Sequence, residues 1–353
     1  MKQIDINKLI RLHILNMKPY SSARLEFEGK AEVFLDANEN SLGSVSQTLH
    51  NRYPDPLQHA VKEKLSHLEN VTVDQIFLGN GSDECIDVLI RAFCEPGKDS
   101  IIICPPVFGM YEHSAHGQHV QVKEVLLTED FQLNVNVILS EAKDLNTKIL
   151  FICSPNNPTG NLMQESDIEK LLNEFDGIVL IDEAYQDFSS DVSWVNRLNE
   201  FQNLAVIKTF SKAWGMADAR LGMLYADETI IHYLNTVKLP YNVNQYTQHL
   251  ALEVLGQLSK KEKFVEELNA SREYLQEELA KIPLVIQQYP TDANFILFKV
   301  EDADKVYTHL LKSGIVVRNR SKSPLCAGCL RVSVGTKEEN EKFINALKNY
   351  QSK

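Results

Sequence analysis

Residues 148–160, KILFICSPNNPTG, decide the fold class of this chain. The unbroken apolar run at residues 149–153 is typical of a strand that is buried on both faces. The polar loop that follows contains two prolines, which fix its backbone. Strands buried on both faces belong to parallel sheets covered by helices. The stretch therefore predicts an α/β fold with a polar loop at the carboxyl end of a strand.

Similar short apolar runs occur on either side of this stretch. IIIC precedes it, and IVLID and AVIKTF follow it. Patterns with helical spacing alternate with apolar runs of this kind, among them residues 56–68 and a helix near residues 164–175. The alternation predicts a large domain with a mostly parallel central sheet flanked by helices, and we expect the sheet to end near residue 240.

The pattern of predicted helices and strands changes after about residue 245. Two helices are predicted in NVNQYTQHLALEVLG and KKEKFVEELNASREYLQEELAKI. Strands ANFILFKV, GIVVRN and CLRVSVG then alternate with helices at about residues 302–313 and 337–350. We therefore expect an N-terminal arm at residues 1–30, a large domain at 31–245, and a smaller α/β domain at 246–353 that packs with the arm.

Composition and charge exclude several classes of function. The chain has 353 residues, 44% of them hydrophobic, and a net charge of −12, which argues against a nucleic-acid partner. No signal peptide is evident, and no apolar stretch approaches the length of a membrane span. Six scattered cysteines suit reduced thiols better than a disulfide framework. These features predict a globular cytoplasmic protein that does not bind membranes.

Polar residues follow each predicted strand, and ligands of parallel α/β sheets bind at that edge. Ser82 and Asp83 open a helix after a glycine turn, where free N–H groups can hold a phosphate. Asn157 lies in the proline loop, Asp182 ends IVLID, and Tyr185 comes three residues later. Each has an ordinary alternative as a helix cap or a turn residue. A ligand site is therefore predicted from these residues taken together, not from any one of them.

Residues 209–222, TFSKAWGMADARLG, add two cations and two hydroxyl groups to this edge. Thr209, Ser211 and Arg220 would complete a phosphate cup beside the glycine turn. Lys212 could form a Schiff base, and Asp182 could keep a pyridine nitrogen protonated. A phosphate cup, a lysine, a strand-end aspartate, a tyrosine and an asparagine are together what pyridoxal phosphate requires. The set predicts a site for that cofactor.

SPNNPTG, IDEAY and TFSKAWGMADARLG resemble the aspartate-aminotransferase-like, fold type I family of pyridoxal-phosphate enzymes over nearly the whole chain. The resemblance implies that Lys212 is the Schiff-base lysine and proton carrier. It also implies that Asp182 partners the pyridine nitrogen, while Asn157 and Tyr185 contact the ring oxygen. Phe108 would stack on the ring, where relatives usually have tyrosine. The phosphate would be held by Ser82, Asp83, Thr209, Ser211 and Arg220.

Further segments resemble the histidinol-phosphate aminotransferase family, namely NMKPYSSAR, FLDANEN, NRYPDP, GIVVRNR and CLRVSVGT. This resemblance implies that Tyr20, Arg318 and Arg331 bind the anionic end of the substrate. Tyr53 would come from the partner subunit of a homodimer. The implied reaction, in histidine biosynthesis, transfers an amino group from L-glutamate to imidazole-acetol phosphate, giving L-histidinol phosphate and 2-oxoglutarate.

Three alternatives remain open from the sequence. A lyase of similar fold, above all a threonine-phosphate decarboxylase, would share a phosphate-ended substrate. An aminotransferase for aromatic or branched-chain amino acids is a close variant. A cofactor-binding regulator without turnover would be marked by a fused DNA-binding domain or by loss of Lys212 or Asp182, and neither mark is seen.

Two other patterns are not assigned to a metal. Cys326 and Cys329 have CxxC spacing but lack a second pair and nearby histidines, so we interpret them as free thiols in a loop. His113, His116 and His119 recur every third residue, which favours a solvated helix end. No metal site is predicted.

Overall fold

The computed structural model describes residues 4–20, 32–47 and 50–351. Most of the second half of the predicted N-terminal arm lies outside the described residues. Within the segment NMKPYSSAR, the residues up to Tyr20 are described and residues 21–24 are not.

A seven-stranded sheet forms the centre of the larger part of the molecule. Its spatial order is β1-β7-β6-β5-β4-β2-β3, and every pairing is parallel except those of β7, which runs antiparallel to both neighbours. The mostly parallel sheet predicted from the sequence is therefore confirmed. The strands are β1 (Ile76–Asn80), β2 (Ser100–Ile103), β3 (Gln121–Glu124), β4 (Thr147–Cys153), β5 (Ile178–Asp182), β6 (Leu204–Thr209) and β7 (Leu221–Ala226).

The central strands are buried on both faces, as their unbroken apolar runs predict. All residues of β5 and β7 are buried, and alternate residues of each strand join separate apolar clusters on the two faces of the sheet. Strand β7 was not among the predicted strands. Its sequence, LGMLYA, looks like the others, but it returns directly from β6 after a turn, without the crossover helix that a parallel strand requires.

Helices cover both faces of this sheet. The last of them begins with a side-chain cap, in which the Asp227 carboxylate accepts a hydrogen bond from the Thr229 amide. The helices of this part are α1 (Leu12–Leu15), α2 (His59–Glu69), α3 (Ser82–Phe93), α4 (Met110–Gly117), α5 (Val135–Glu141), α6 (Glu165–Glu174) and α7 (Glu228–Val237).

A second sheet of four strands forms the core of the C-terminal part. Its order is β10-β11-β9-β8 with antiparallel pairing throughout, and the predicted strand GIVVRN contributes only two residues to it. The strands are β8 (Val285–Gln288), β9 (Phe295–Val300), β10 (Arg318–Asn319) and β11 (Cys329–Ser333). The helices are α8 (Gln245–Leu255), α9 (Leu258–Ala280), α10 (Ala303–Lys312) and α11 (Lys337–Lys348).

The described part of the N-terminal segment packs on the large sheet, while the expected domain division and the packing of the arm with the smaller domain stay predictions. The apolar side chains of Ile6, Ile10 and Ile14 are buried in the cluster formed by the large sheet with α3 and α7, not against the C-terminal sheet. The Arg11 guanidinium reinforces this position by donating to the Arg91 carbonyl oxygen at 2.8 Å.

Candidate active site

Six strands of the large sheet, β1 to β6, run in one direction and end at the same edge. The remaining strand, β7, is antiparallel to both of its neighbours, β1 and β6. A cavity of about 170 Å³ lies at this edge. All ten residues that the sequence predicts for the cofactor line it, together with Cys153, Ala184 and Ala217: Ser82, Asp83, Phe108, Asn157, Asp182, Tyr185, Thr209, Ser211, Lys212 and Arg220.

Asp182 brings a carboxylate to the floor of the cavity. It ends β5, only 3% of its surface is exposed, and it accepts hydrogen bonds from the Tyr111 hydroxyl at 2.6 Å and the Ala184 amide at 3.0 Å. Burial raises the pKa of Asp182, and the two hydrogen bonds and the charge of Lys212 oppose this shift. A cationic ring nitrogen placed here would favour the ionised carboxylate.

Lys212 approaches the same cavity from the loop after β6. Its ammonium group lies 5.5 Å from the centre of the Tyr185 ring and has no hydrogen bond or ion pair with the described residues. Burial lowers the pKa of Lys212, and the nearby Arg331 charge lowers it further. A lysine with a lowered pKa and no fixed partner suits a role as nucleophile and proton carrier.

The amino end of α3 and the Arg220 side chain form a basic corner of the cavity. Arg220 donates to the Asp83 carboxylate at 3.0 Å, and no side chain caps the first turn of α3. Gly81 has φ +81°, and a Cβ atom there would lie 2.5 Å from an Arg220 nitrogen. Free helix amides beside a guanidinium are a phosphate-binding arrangement. The Thr209 hydroxyl, by contrast, accepts from the Ser211 amide within its own turn.

Asn157 and Arg331 join the two sheets at the rim of the cavity. The Arg331 guanidinium donates to the Asn157 side-chain oxygen, and the Asn157 amide lies 3.4 Å from the Tyr185 hydroxyl. Arg331 also lies over the Phe295 ring, 4.9 Å from its centre. Its Nε atom is buried without a hydrogen-bond partner in the described residues. Donors of Arg331 therefore remain available to an anion.

The other substrate residues predicted from the sequence lie outside the cofactor cavity. Arg318 is exposed on β10, directly opposite Arg331 in the strand register. Tyr53 is half exposed and stacks on Tyr241 with 4.5 Å between ring centres. Tyr20 lines a separate cavity of about 430 Å³. Their roles in substrate binding stay predictions.

Comparison with known proteins identifies the family. The model of the family described as aminotransferase class I and II matches residues 23–347. A histidinol-phosphate aminotransferase of Cytophaga hutchinsonii is 51% identical over 346 residues, which cover 98% of this chain and 99% of that protein. This chain belongs to the histidinol-phosphate aminotransferases, within the class I and II aminotransferase family.

Solved structures of this aminotransferase fold agree with the architecture. The histidinol-phosphate aminotransferase of Clostridium acetobutylicum superposes with a TM-score of 0.78 at 27% identity, covering 85% of this chain and 90% of that one. The L-threonine-O-3-phosphate decarboxylase of Porphyromonas gingivalis gives 0.72 at 23% identity, covering 85% and 93%. At that identity the second likeness shows the fold alone.

Sequence reasoning missed several residues that shape the site of this aminotransferase. Tyr111 donates to Asp182, and Cys153 lines the cavity beside it. Tyr111 lies in the first turn of α4, three residues after Phe108, and its place beside Phe108 in the sequence could have pointed to it. Cys153 is paired with Asp182 in the β4–β5 register, which only the sheet reveals.

The two patterns left unassigned from the sequence have structural explanations. Cys326 and Cys329 are free thiols, as expected, but they are buried in the apolar cluster of the large sheet, where they join the two parts of the molecule. His113 is exposed in the middle of α4, His116 near its end and His119 just after it. Within the described residues, no group of three or more histidines, cysteines or acidic residues could hold a metal ion.

Glu183 follows Asp182 but belongs to the interior on the other side of the strand. Its carboxylate accepts hydrogen bonds from the Ser193 hydroxyl and from the Trp194 amide at 2.7 Å. Burial raises the pKa of Glu183 from 4.5 to about 7, although the Lys208 charge opposes the shift. The folded protein therefore binds more protons than the unfolded chain between these pH values. The stabilisation is complete below about pH 4.5 and is lost as the pH rises through 7.

We expect Glu183→Gln to unfold at a higher temperature than the wild type at about pH 8, because the amide carries no charge to bury. The expected gain in unfolding free energy is roughly 1–3 kcal/mol at about pH 8 and disappears towards about pH 5. Thermal unfolding of both proteins across this range provides the measurement. A variant less stable than the wild type at about pH 8 would show that the carboxylate is stabilised as an ion by Lys208.

Proposed function

We propose that this aminotransferase moves the amino group of L-glutamate to 3-(imidazol-4-yl)-2-oxopropyl phosphate, giving L-histidinol phosphate and 2-oxoglutarate, in histidine biosynthesis. One observation carries the proposal: Lys212 and Asp182 share a cavity whose rim holds Arg331, an arginine with no carboxylate partner among the described residues. The names of the relatives support the choice of substrate.

The donor set fits pyridoxal 5'-phosphate, which would supply an electron sink for the carbon that exchanges its amino group. Arg220 and the first amides of α3 would hold the phosphate, and Asp182 would hold the ring nitrogen. Phe108 lines the same cavity and is placed to pack on the ring. Tyr185 and Asn157, 3.4 Å apart, would hold the ring oxygen.

Lys212 is proposed as the covalent lysine and as the proton carrier. Its lowered pKa increases the fraction of neutral amine, which is the form that can attack a carbonyl or accept a proton. The Arg331 charge contributes to this shift and also attracts the anionic end of a substrate. One side chain would then bind the substrate and activate the lysine.

Arg331 and Arg318 can accept either substrate, because glutamate ends in carboxylates and the other substrate ends in a phosphate. A guanidinium binds both groups through paired, charge-assisted hydrogen bonds. Tyr20 and Tyr53 would add hydroxyl donors. Tyr53 is half exposed and away from the cavity of its own chain, which is consistent with a homodimer in which it serves the partner site. Sedimentation equilibrium would test the dimer.

The substrate test uses both half-reactions. Incubated with glutamate alone, the holoenzyme is expected to form about one 2-oxoglutarate per site and no carbon dioxide. Imidazole-acetol phosphate added afterwards should yield an equal amount of histidinol phosphate. Phenylpyruvate in its place is the control for an aromatic aminotransferase, and release of carbon dioxide from threonine phosphate would support the decarboxylase alternative. Failure with imidazole-acetol phosphate but success with phenylpyruvate would overturn the proposed substrate.

We further propose that the enzyme works in the cytoplasm. Its six cysteines are all free thiols, which suits a reducing compartment. In the described part of the chain, none of the helices combines the length and hydropathy needed to span a bilayer.

A further inference from the structure

Three arginines lie together on β10, on β11 and directly after β10, and one of them, Arg331, donates to Asn157 of the cofactor cavity. Arg318 pairs with Arg331 across β10 and β11, and the Arg320 amide donates to the Cys329 carbonyl oxygen at 2.9 Å one step further along. Side chains two residues apart on an extended strand point to the same face. Like charges placed opposite each other on neighbouring strands destabilise a sheet. The stability of the sheet therefore does not explain why these three arginines lie together.

Arg320 has donors that the protein itself does not use. Its Nε atom is buried and lacks a hydrogen-bond partner in the described residues, as does that of Arg331. No carboxylate of those residues forms an ion pair with it. Burial and the charge of Arg318 lower the pKa of Arg320, and only the Cys326 thiol and the Tyr185 hydroxyl oppose this. A buried donor without a partner is costly unless a ligand satisfies it.

The position of Arg320 connects it to the reaction site. The Tyr185 hydroxyl belongs to the cofactor cavity, and its pKa is affected by Arg320 and by Arg331. Arg331 lies against Phe295, whose ring packs edge-on against Tyr185 at 5.0 Å. The charges of both guanidinium groups therefore act on the same tyrosine of the cavity.

The number of acceptor atoms distinguishes the two substrates. A carboxylate offers two oxygens, which one guanidinium can bind as a pair. A phosphate ester offers three terminal oxygens and a charge close to −2, so it can use further donors. Arg331 and Arg318 suffice for a carboxylate, whereas a third guanidinium has its full effect only with a phosphate.

We propose that Arg320 is a specificity-determining residue that binds the phosphate end of the substrate and discriminates it from the carboxylate of glutamate. This inference rests on the proposed function and deepens it. Arg320 was not among the substrate residues predicted from the sequence, where only Arg318 and Arg331 of GIVVRNR and CLRVSVGT were assigned.

The test compares holoenzyme variants with phosphate and carboxylate ligands. Arg320→Gln is expected to raise the KM for histidinol phosphate by about 10-fold or more, with less than about 3-fold change in the KM for glutamate and in kcat. Inhibition by inorganic phosphate should weaken in parallel, while inhibition by glutarate should not. Lys322→Gln is the matched control, since it removes one exposed charge from the same loop.

Several outcomes would overturn the inference. Equal increases in both KM values would make Arg320 a general anion binder, and a fall in kcat alone would make it a support for Tyr185 or Arg331. Unchanged KM values would show that Arg320 has no role in selecting phosphate over carboxylate. If Arg320→Gln does not fold, the same measurements are made on Arg320→Lys, which keeps the charge but loses the planar pair of donors.

The two proposals fail in different ways. Wild-type enzyme that does not act on histidinol phosphate would refute the proposed function. In that case, phosphate and glutarate are tested as inhibitors of the half-reaction with glutamate. Their effects on the wild type and on Arg320→Gln still decide whether Arg320 selects phosphate over carboxylate.

Discussion

Replacing Lys212 with alanine is expected to lower kcat by at least roughly 10³-fold, because the variant loses both the covalent nucleophile and the proton carrier. The side chain has a lowered pKa and no fixed partner among the described residues, so the substitution breaks no observed hydrogen bond or ion pair. Turnover of glutamate with imidazole-acetol phosphate measures the effect. Borohydride reduction of the wild-type holoenzyme, followed by peptide mass spectrometry, should place the cofactor on Lys212.

Lys212→Arg tests, in the same experiment, whether Lys212 acts through its positive charge or through its reactive amine. Arginine keeps the cation in the cavity, but its guanidinium does not deprotonate in proteins and cannot act as the nucleophile. We therefore expect it to be about as inactive as the alanine variant. If Lys212→Arg retained most of the wild-type turnover, the role of Lys212 would be electrostatic and the proposed mechanism would be wrong.

Asp182→Asn is expected to lower kcat by roughly 10²- to 10³-fold, because it removes a preorganised negative charge from the floor of the cavity. The amide has nearly the same shape and can still accept a hydrogen bond from the Ala184 amide. It cannot stabilise a protonated ring nitrogen as an ion would. Steady-state turnover and cofactor affinity, measured by equilibrium dialysis, check the prediction.

Glu183→Gln is the matched control for this substitution. It makes the same chemical change one residue along the strand, on a buried carboxylate that bonds to Ser193 and Trp194 instead of facing the cavity. Its turnover should stay close to that of the wild type. Equal losses in both variants would indicate a general effect of removing charge from this region, not a role of Asp182 in the site.

The sequence predicted the parallel strands because each central strand is a short, unbroken apolar run, and burial on both faces is a local property of such a run. It also predicted which residues follow the strand ends. Lys212 and Asp182 could be singled out because ligand sites of this fold class lie at that edge. The structure brings the ten predicted cofactor residues into one cavity.

Contacts between segments that are far apart in the sequence could not be predicted from local patterns. The bond between Arg331 and Asn157 joins residues 174 positions apart, and that between Tyr111 and Asp182 joins residues 71 positions apart. The antiparallel direction of β7 and the burial of Ile10 in an apolar cluster of the large sheet depend on such contacts as well.

The amino-acid sequence by itself determined the burial pattern, the strand-end residues and the chemistry available at the site. The tertiary structure decided which donors of the described residues remain without partners, and it brought the charge of Arg320 near Arg331 and Tyr185. The physical reason is that periodicity encodes which face of an element is buried. Strand direction, register and the meeting of two sheets depend on packing between distant segments, which no local pattern specifies.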